Sequence, residues 1–177
     1  MKKYLLILAA MLTLTVQVNA QKKQTDDRGY LVKVGEMAPD FTMTLTDGTT
    51  QKLSDLRGKI IMLQFTASWC SVCRKEMPHI EKQIWTPYKN KNVVVIGVDR
   101  DEPLEKVKTF TKQTGITYHM ALDPDADIFG LYADKKTGVT RNVLIDESGK
   151  IVFLTRLFNE EEFNALVQKI GKLAQGN

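Results

Sequence analysis

Cys70 and Cys73 are the only cysteines in the 177-residue chain. They stand as Trp69-Cys70-Ser71-Val72-Cys73, where the apolar run from Ile60 to Phe65 gives way to a helical pattern. Two thiols three residues apart at a helix start can close a disulfide on themselves, and the positive end of the helix favours the thiolate of the first. This is the layout of a redox dithiol. Two blander uses fit less well. A structural zinc needs four ligands, whereas the chain has two Cys and two His, and His79 and His119 are spaced like neither a finger nor a knuckle. A purely structural disulfide over so short a loop would constrain the unfolded chain by only about 2 kcal/mol. No metal and no cofactor are expected.

Periodicity separates the two thiols. Cys73, Met77, Ile80 and Ile84 fall at i, i+4, i+7 and i+11, so they share one helical face that must be buried. Cys70 lies in the first turn, among backbone N–H groups that lack intrahelical partners. The pattern predicts Cys70 as the exposed, low-pKa nucleophile and Cys73 as the buried resolving thiol that releases the partner from a mixed disulfide. Trp69, Ser71 and Val72 are the expected substrate-facing residues beside the pair. Trp69 either shields the thiolate and docks a substrate or is plain packing. Pro78 falls inside the helix and is expected to kink it.

The elements that must carry this helix alternate along the chain. Phe41 to Leu45 and Thr49 to Lys52 flank the turn dipeptide Asp47-Gly48 and predict a hairpin. Ile60 to Phe65 is a nearly continuous apolar strand of the kind buried on both faces, and Val93 to Val98 is a second. Pro103 opens a helix that ends by Gly115. Ile116 to Leu122, Val143 to Ile145 and Ile151 to Leu154 are further strands, and a closing helix starts after Asn159. The sum is an α/β domain with helices on both faces of a mixed sheet.

Residues 1–20 pair a basic start, Met1-Lys2-Lys3, with a largely apolar stretch from Tyr4 to Val16 and small residues at Val18-Asn19-Ala20. This reads as a bacterial export signal cut after Ala20, with a signal anchor holding a periplasmic domain as the competing view. An oxidising compartment favours a Cys pair that cycles through a disulfide. Residues 21–30 are polar and read as a flexible lead-in to a single domain over 31–177. The formal charge of +4 includes Lys2 and Lys3, and no Lys/Arg cluster is interleaved with aromatics, which argues against nucleic-acid binding.

Several motifs in series resemble the periplasmic thioredoxin-like thiol-disulfide oxidoreductases of the cytochrome c maturation type. They are Gly35-Glu36-Met37-Ala38-Pro39-Asp40-Phe41, the Asp47-Gly48 turn, Leu53 to Lys59, Trp69 to Pro78, and Val143-Leu144-Ile145-Asp146 followed by Gly149-Lys150-Ile151. The resemblance runs from about Val34 to Ile170. It implies a thioredoxin fold with an N-terminal β-hairpin extension, and an insertion between the second βαβ strand and its next helix. It also implies a reductase of disulfides in exported cysteine-containing proteins, acting as a monomer and fed by a membrane thiol-disulfide electron donor.

Further site residues follow from the same resemblance. Glu76 matches an acidic residue kept near the thiols, where it would relay the proton leaving Cys73; the other reading is a surface glutamate. Gln64 stands where cytoplasmic thioredoxins bury an acid. Thr140, within Gly138-Val139-Thr140-Arg141, occupies the position of the family's cis-proline. Val139, Thr140 and Arg141 are the expected partner-binding loop, with Arg141 stabilising a thiolate or an acidic partner or else facing solvent. Ser71-Val72 between the cysteines does not set the direction of electron flow. A thiol peroxidase shares the early Ala-Pro-Asp-Phe signature, although Gln64 to Cys70 lacks the proline of its peroxidatic motif. A redox-dependent binding or regulatory domain is the non-enzyme alternative.

Overall fold

The computed structural model describes residues 25–175, so the leader expected over residues 1–20 lies outside the described residues. The hairpin is β1 (Thr42–Leu45) and β2 (Thr50–Lys52), followed by a 3-10 turn (Leu53–Leu56) and β3 (Ile60–Thr66). Helix α1 (Ser71–Ile80) runs on through a π-helical stretch (Glu81–Trp85) into α2 (Thr86–Tyr88). Next come β4 (Val93–Arg100), α3 (Leu104–Thr114), β5 (His119–Asp123) and α4 (Asp127–Tyr132). The chain closes with β6 (Arg141–Ile145), β7 (Ile151–Arg156) and α5 (Glu160–Gln175).

Seven strands form one sheet in the order β2-β1-β5-β4-β3-β6-β7. β3, β4 and β5 run parallel, while β6 pairs antiparallel to β3 and β1 antiparallel to β5. This is the thioredoxin architecture with extra strands. α3 and β5 form the insertion between β4 and α4, and β5 links the N-terminal hairpin to the central strands. Gly115 ends α3 in the left-handed conformation (φ 70°), donating its N–H to Thr111 O, a conformation glycine adopts without a Cβ clash.

β3 is buried at all seven positions, which explains its unbroken apolar run. Ile60 and Met62 meet Met77, Phe110 and Leu166 from the α1, α3 and α5 layer. Ile61, Leu63 and Phe65 face the opposite core with Phe41, Phe129 and Tyr132. The period of two therefore turns Gln64 toward α1. Helix α4 carries no cap of its own type. Its first N–H groups, from Ile128 and Phe129, donate instead to the Asp123 carboxylate at 3.0 and 2.8 Å, so the capping residue sits in the preceding strand.

The lead-in is shorter than residues 21–30. Tyr30 is buried, and its hydroxyl donates to Thr155 O at 2.5 Å. Arg141, expected in the partner-binding loop, is fully buried and turned away from it. Its guanidinium donates to Arg28 O (2.6 Å), Thr137 Oγ1 (2.9 Å) and Gly138 O, and lies over the rings of Tyr30 and Phe129. Arg141 is thus a clamp between the N-terminal segment and the loop before β6. It is neither a solvent-facing residue nor a partner for thiolates. Arg141→Gln should lower stability by about 2 to 4 kcal/mol in urea unfolding, because two carbonyls and a hydroxyl lose a charged donor. The peptide bonds around residues 25–30 should then become the first to be cut in limited proteolysis.

Candidate active site

The two cysteines sit where β3 leaves the sheet. After Thr66 the chain turns, with Cys70 N–H donating to Ala67 O at 3.1 Å, and α1 begins at Ser71 with Cys70 as its N-cap. The cap is made by sulfur: Cys73 N–H donates to Cys70 Sγ at 3.1 Å. The sulfurs are joined as a disulfide, the Cα atoms 5.3 Å apart. Cys73 is completely inaccessible and Cys70 is 8% exposed. The order of exposure is the one predicted, but Cys70 too is nearly buried, because the Thr140 side chain lies against it.

Trp69, in contrast, is 57% exposed. An indole this open, next in sequence to Cys70, does not serve the core. Ser71 is exposed and Val72 half-buried. Val139, expected in the partner-binding loop, has its side chain buried. Thr140 is 3% exposed, with Oγ1 3.1 Å from Cys70 Sγ and 3.3 Å from Cys73 Sγ. Among the described residues no peptide bond is cis. Pro78 lies within α1, and the helix continues beyond it into the π-helical stretch.

Glu76 is not a surface residue. It is 1% exposed, one turn beyond Cys73 and directed at the β3–β6 pair. Asn142 Nδ2 donates to Glu76 Oε1 at 2.6 Å, and Gln64 Nε2 makes a longer 3.5 Å contact with Oε2. Gln64 and Asn142 are register partners across the two strands. The network extends through Tyr118, whose hydroxyl donates to Gln64 Oε1 at 2.6 Å, and through Thr155 Oγ1, which accepts from Asn142 at 2.8 Å. Burial pushes the Glu76 carboxyl up to about 7, outweighing the hydrogen bonds from Asn142 and Gln64 that favour its charged form.

A second acidic pair borders the Cys70 turn. Glu102 accepts from Ser68 N–H (2.5 Å) and Ser68 Oγ (2.6 Å) and pairs with Lys106 at 3.0 Å. Asp99 is fully buried beside Glu102, and no neighbouring N–H group donates to its carboxyl oxygens. Burial and the adjacent Glu102 charge push it up to about 8. Neither residue was singled out from the sequence. Asn142 and Tyr118 were also missed, although Gln64 and Asn142 are polar residues inside apolar strand runs, which is the signal of an internal network. Among the described residues, no cluster of three or more His, Cys, Asp or Glu could hold a metal ion. His119 stands exposed at the start of β5 against Trp85.

The AhpC/TSA family model matches residues 34–154. Thiol-disulfide oxidoreductase ResA of Bacillus cereus is 34% identical over 142 residues, covering 78% of this chain and 79% of that protein. ResA of Bacillus anthracis is 36% identical over 121 residues, covering 68% of each. The solution structure of a candidate protein disulfide isomerase from Bacteroides thetaiotaomicron is 64% identical, with a TM-score of 0.81 over 83% of this chain and 93% of that one. The crystal structure of a DsbE-type thiol:disulfide interchange protein from Chlorobium tepidum is 30% identical, with a TM-score of 0.69 over 81% and 99% of the two chains.

Proposed function

The chain belongs to the AhpC/TSA family, among its ResA-related thiol-disulfide oxidoreductases, and from that premise we propose that it reduces disulfides in exported cysteine-containing proteins. The observation that carries the reading is the unequal Cys70–Cys73 pair, with Cys70 still 8% exposed and Cys73 fully inaccessible. Only the first can attack a macromolecular disulfide. The second can reach only the first.

Exchange then runs in two steps. The Cys70 thiolate attacks one sulfur of the partner disulfide, forming a mixed disulfide and expelling the other partner sulfur as thiolate. Cys73 loses its proton and attacks Cys70 Sγ, which forms the internal disulfide and releases the second partner thiolate. The partner gains two electrons and the dithiol loses them. Glu76 is the base assigned to the Cys73 proton, since its carboxyl titrates at about 7, where it can both take up and release a proton at neutral pH.

Export is supported by the basic and then apolar residues 1–20, and a membrane dithiol would return the electrons. Among the described residues no helix is long and apolar enough to cross a membrane. The direction of electron flow is tested by titrating the pair against glutathione. A potential near about −270 mV identifies a reductase, whereas one near about −120 mV reverses the assignment.

A further inference from the structure

Among the described residues, the Thr140 hydroxyl is the one side-chain group within hydrogen-bond distance of both sulfurs, at 3.1 and 3.3 Å. Sulfurs joined in a disulfide carry no hydrogen, so the hydroxyl is the donor, its single proton shared between the two contacts. Thr140 is 3% exposed, which keeps water from substituting for it. Four charged side chains near the pair are committed elsewhere. Glu76 is bonded to Asn142, Glu102 to Ser68, Arg74 to Ser68 O and Arg156 to Thr140 O.

The backbone that presents this hydroxyl is held in place. Thr140 O accepts from Leu157 N–H at 3.2 Å and from Arg156 Nη1 at 3.3 Å, and Arg141 fastens Gly138 O on the other side. Leu157 supplies its N–H from the left-handed conformation, φ 66°, which is unfavourable for a leucine. Such a conformation persists only where neighbouring structure over-determines it. Here it serves to pin the Thr140 carbonyl.

We propose that the Thr140 hydroxyl is a catalytic hydrogen-bond donor that follows the negative charge from Cys70 to Cys73 during exchange. In the reduced protein it donates to the Cys70 thiolate while its oxygen accepts from the Cys73 thiol. Attack on a partner removes the charge from Cys70. Rotation about the Thr140 C–O bond then turns the hydroxyl proton to Cys73, stabilising the thiolate formed when Cys73 gives up its own proton to the base. The second attack closes the internal disulfide and leaves the hydroxyl between the sulfurs, as observed. The proposal rests on the thiol-disulfide reading above and adds a role that a proline ring at this position would not supply.

Thr140→Val keeps the branched shape and removes the donor, Thr140→Ala removes both, and Thr140→Ser keeps the donor. The ultraviolet absorbance of the Cys70 thiolate against pH, together with single-turnover rates on a disulfide peptide, reads the effect. Both Val and Ala should lower the thiolate fraction and each exchange step at neutral pH by about tenfold, the contribution expected of a hydrogen bond to a charged group. Ser should stay within about twofold of wild type. If Val fails to fold, Ala carries the comparison. Unchanged titration and rates in the variants without a hydroxyl would overturn the proposal, as would a Ser variant as impaired as Ala. A wild-type protein that does not cycle with glutathione would instead overturn the dithiol reading itself.

Discussion

Cys73→Ser will hold the partner on Cys70 as a stable mixed disulfide, and multiple turnover will fall by about 1,000-fold or more, because the only sulfur able to release the partner is gone. Mass spectrometry of the variant incubated with an oxidised peptide should show the one-to-one adduct. Cys70→Ser should show none. Its remaining thiol is Cys73, which is completely inaccessible, so alkylation should be slower by about a hundredfold than at Cys70 in the reduced wild type. Equal alkylation at the two positions would dismiss the division of labour.

Glu76→Gln should have opposite effects on stability and on catalysis. Burial holds the Glu76 proton in the folded state up to about 7, against an ordinary value of 4.5. Between those values the folded protein binds more protons than the unfolded chain, so stability falls as pH rises through the window, by about 3 kcal/mol in all. Glutamine carries no such titration. The variant should therefore be the more stable protein at pH 8 by up to that amount, with little difference at pH 4, as measured by urea unfolding across pH. In single-turnover kinetics the decay of the mixed disulfide should slow while its formation by Cys70 changes little. An unchanged decay rate and pH profile would return Glu76 to a purely structural part.

These outcomes depend on features that were unequally legible in the residues alone. The dithiol, its helix and the strand beneath it were readable because each is local: Cys-x-x-Cys within one turn, four apolar positions on one helical face, an apolar run buried on both sides. Glu76 was visible as a candidate, but its burial was not. That burial comes from Gln64, Asn142 and Tyr118, which are distant in sequence and meet only through strand pairing. The same reason misassigned Arg141, whose partners Arg28 and Tyr30 lie in a segment that reads as polar tail. Helix α4 escaped notice because its capping carboxylate, Asp123, belongs to a strand. Thr140 was legible as a departure from the proline its position would hold. Its two sulfur contacts required the fold.

The pairing of Gln64 with Asn142 across β3 and β6 also sets an order of events. A slip of one residue would turn Asn142 to the opposite face and bring Arg141 beneath α1, so this register must be correct before the helix can dock on its polar neighbours. The two strands are separated by α1 to α4 in the chain, so joining them closes a long loop and is entropically costly. Until that contact forms, Cys73 has no sealed environment and Thr140 is not beside either sulfur. In a growing or newly released chain only the start of α1 sets Cys70 apart from Cys73, and the full chemical inequality between them arises when the last strands close the sheet.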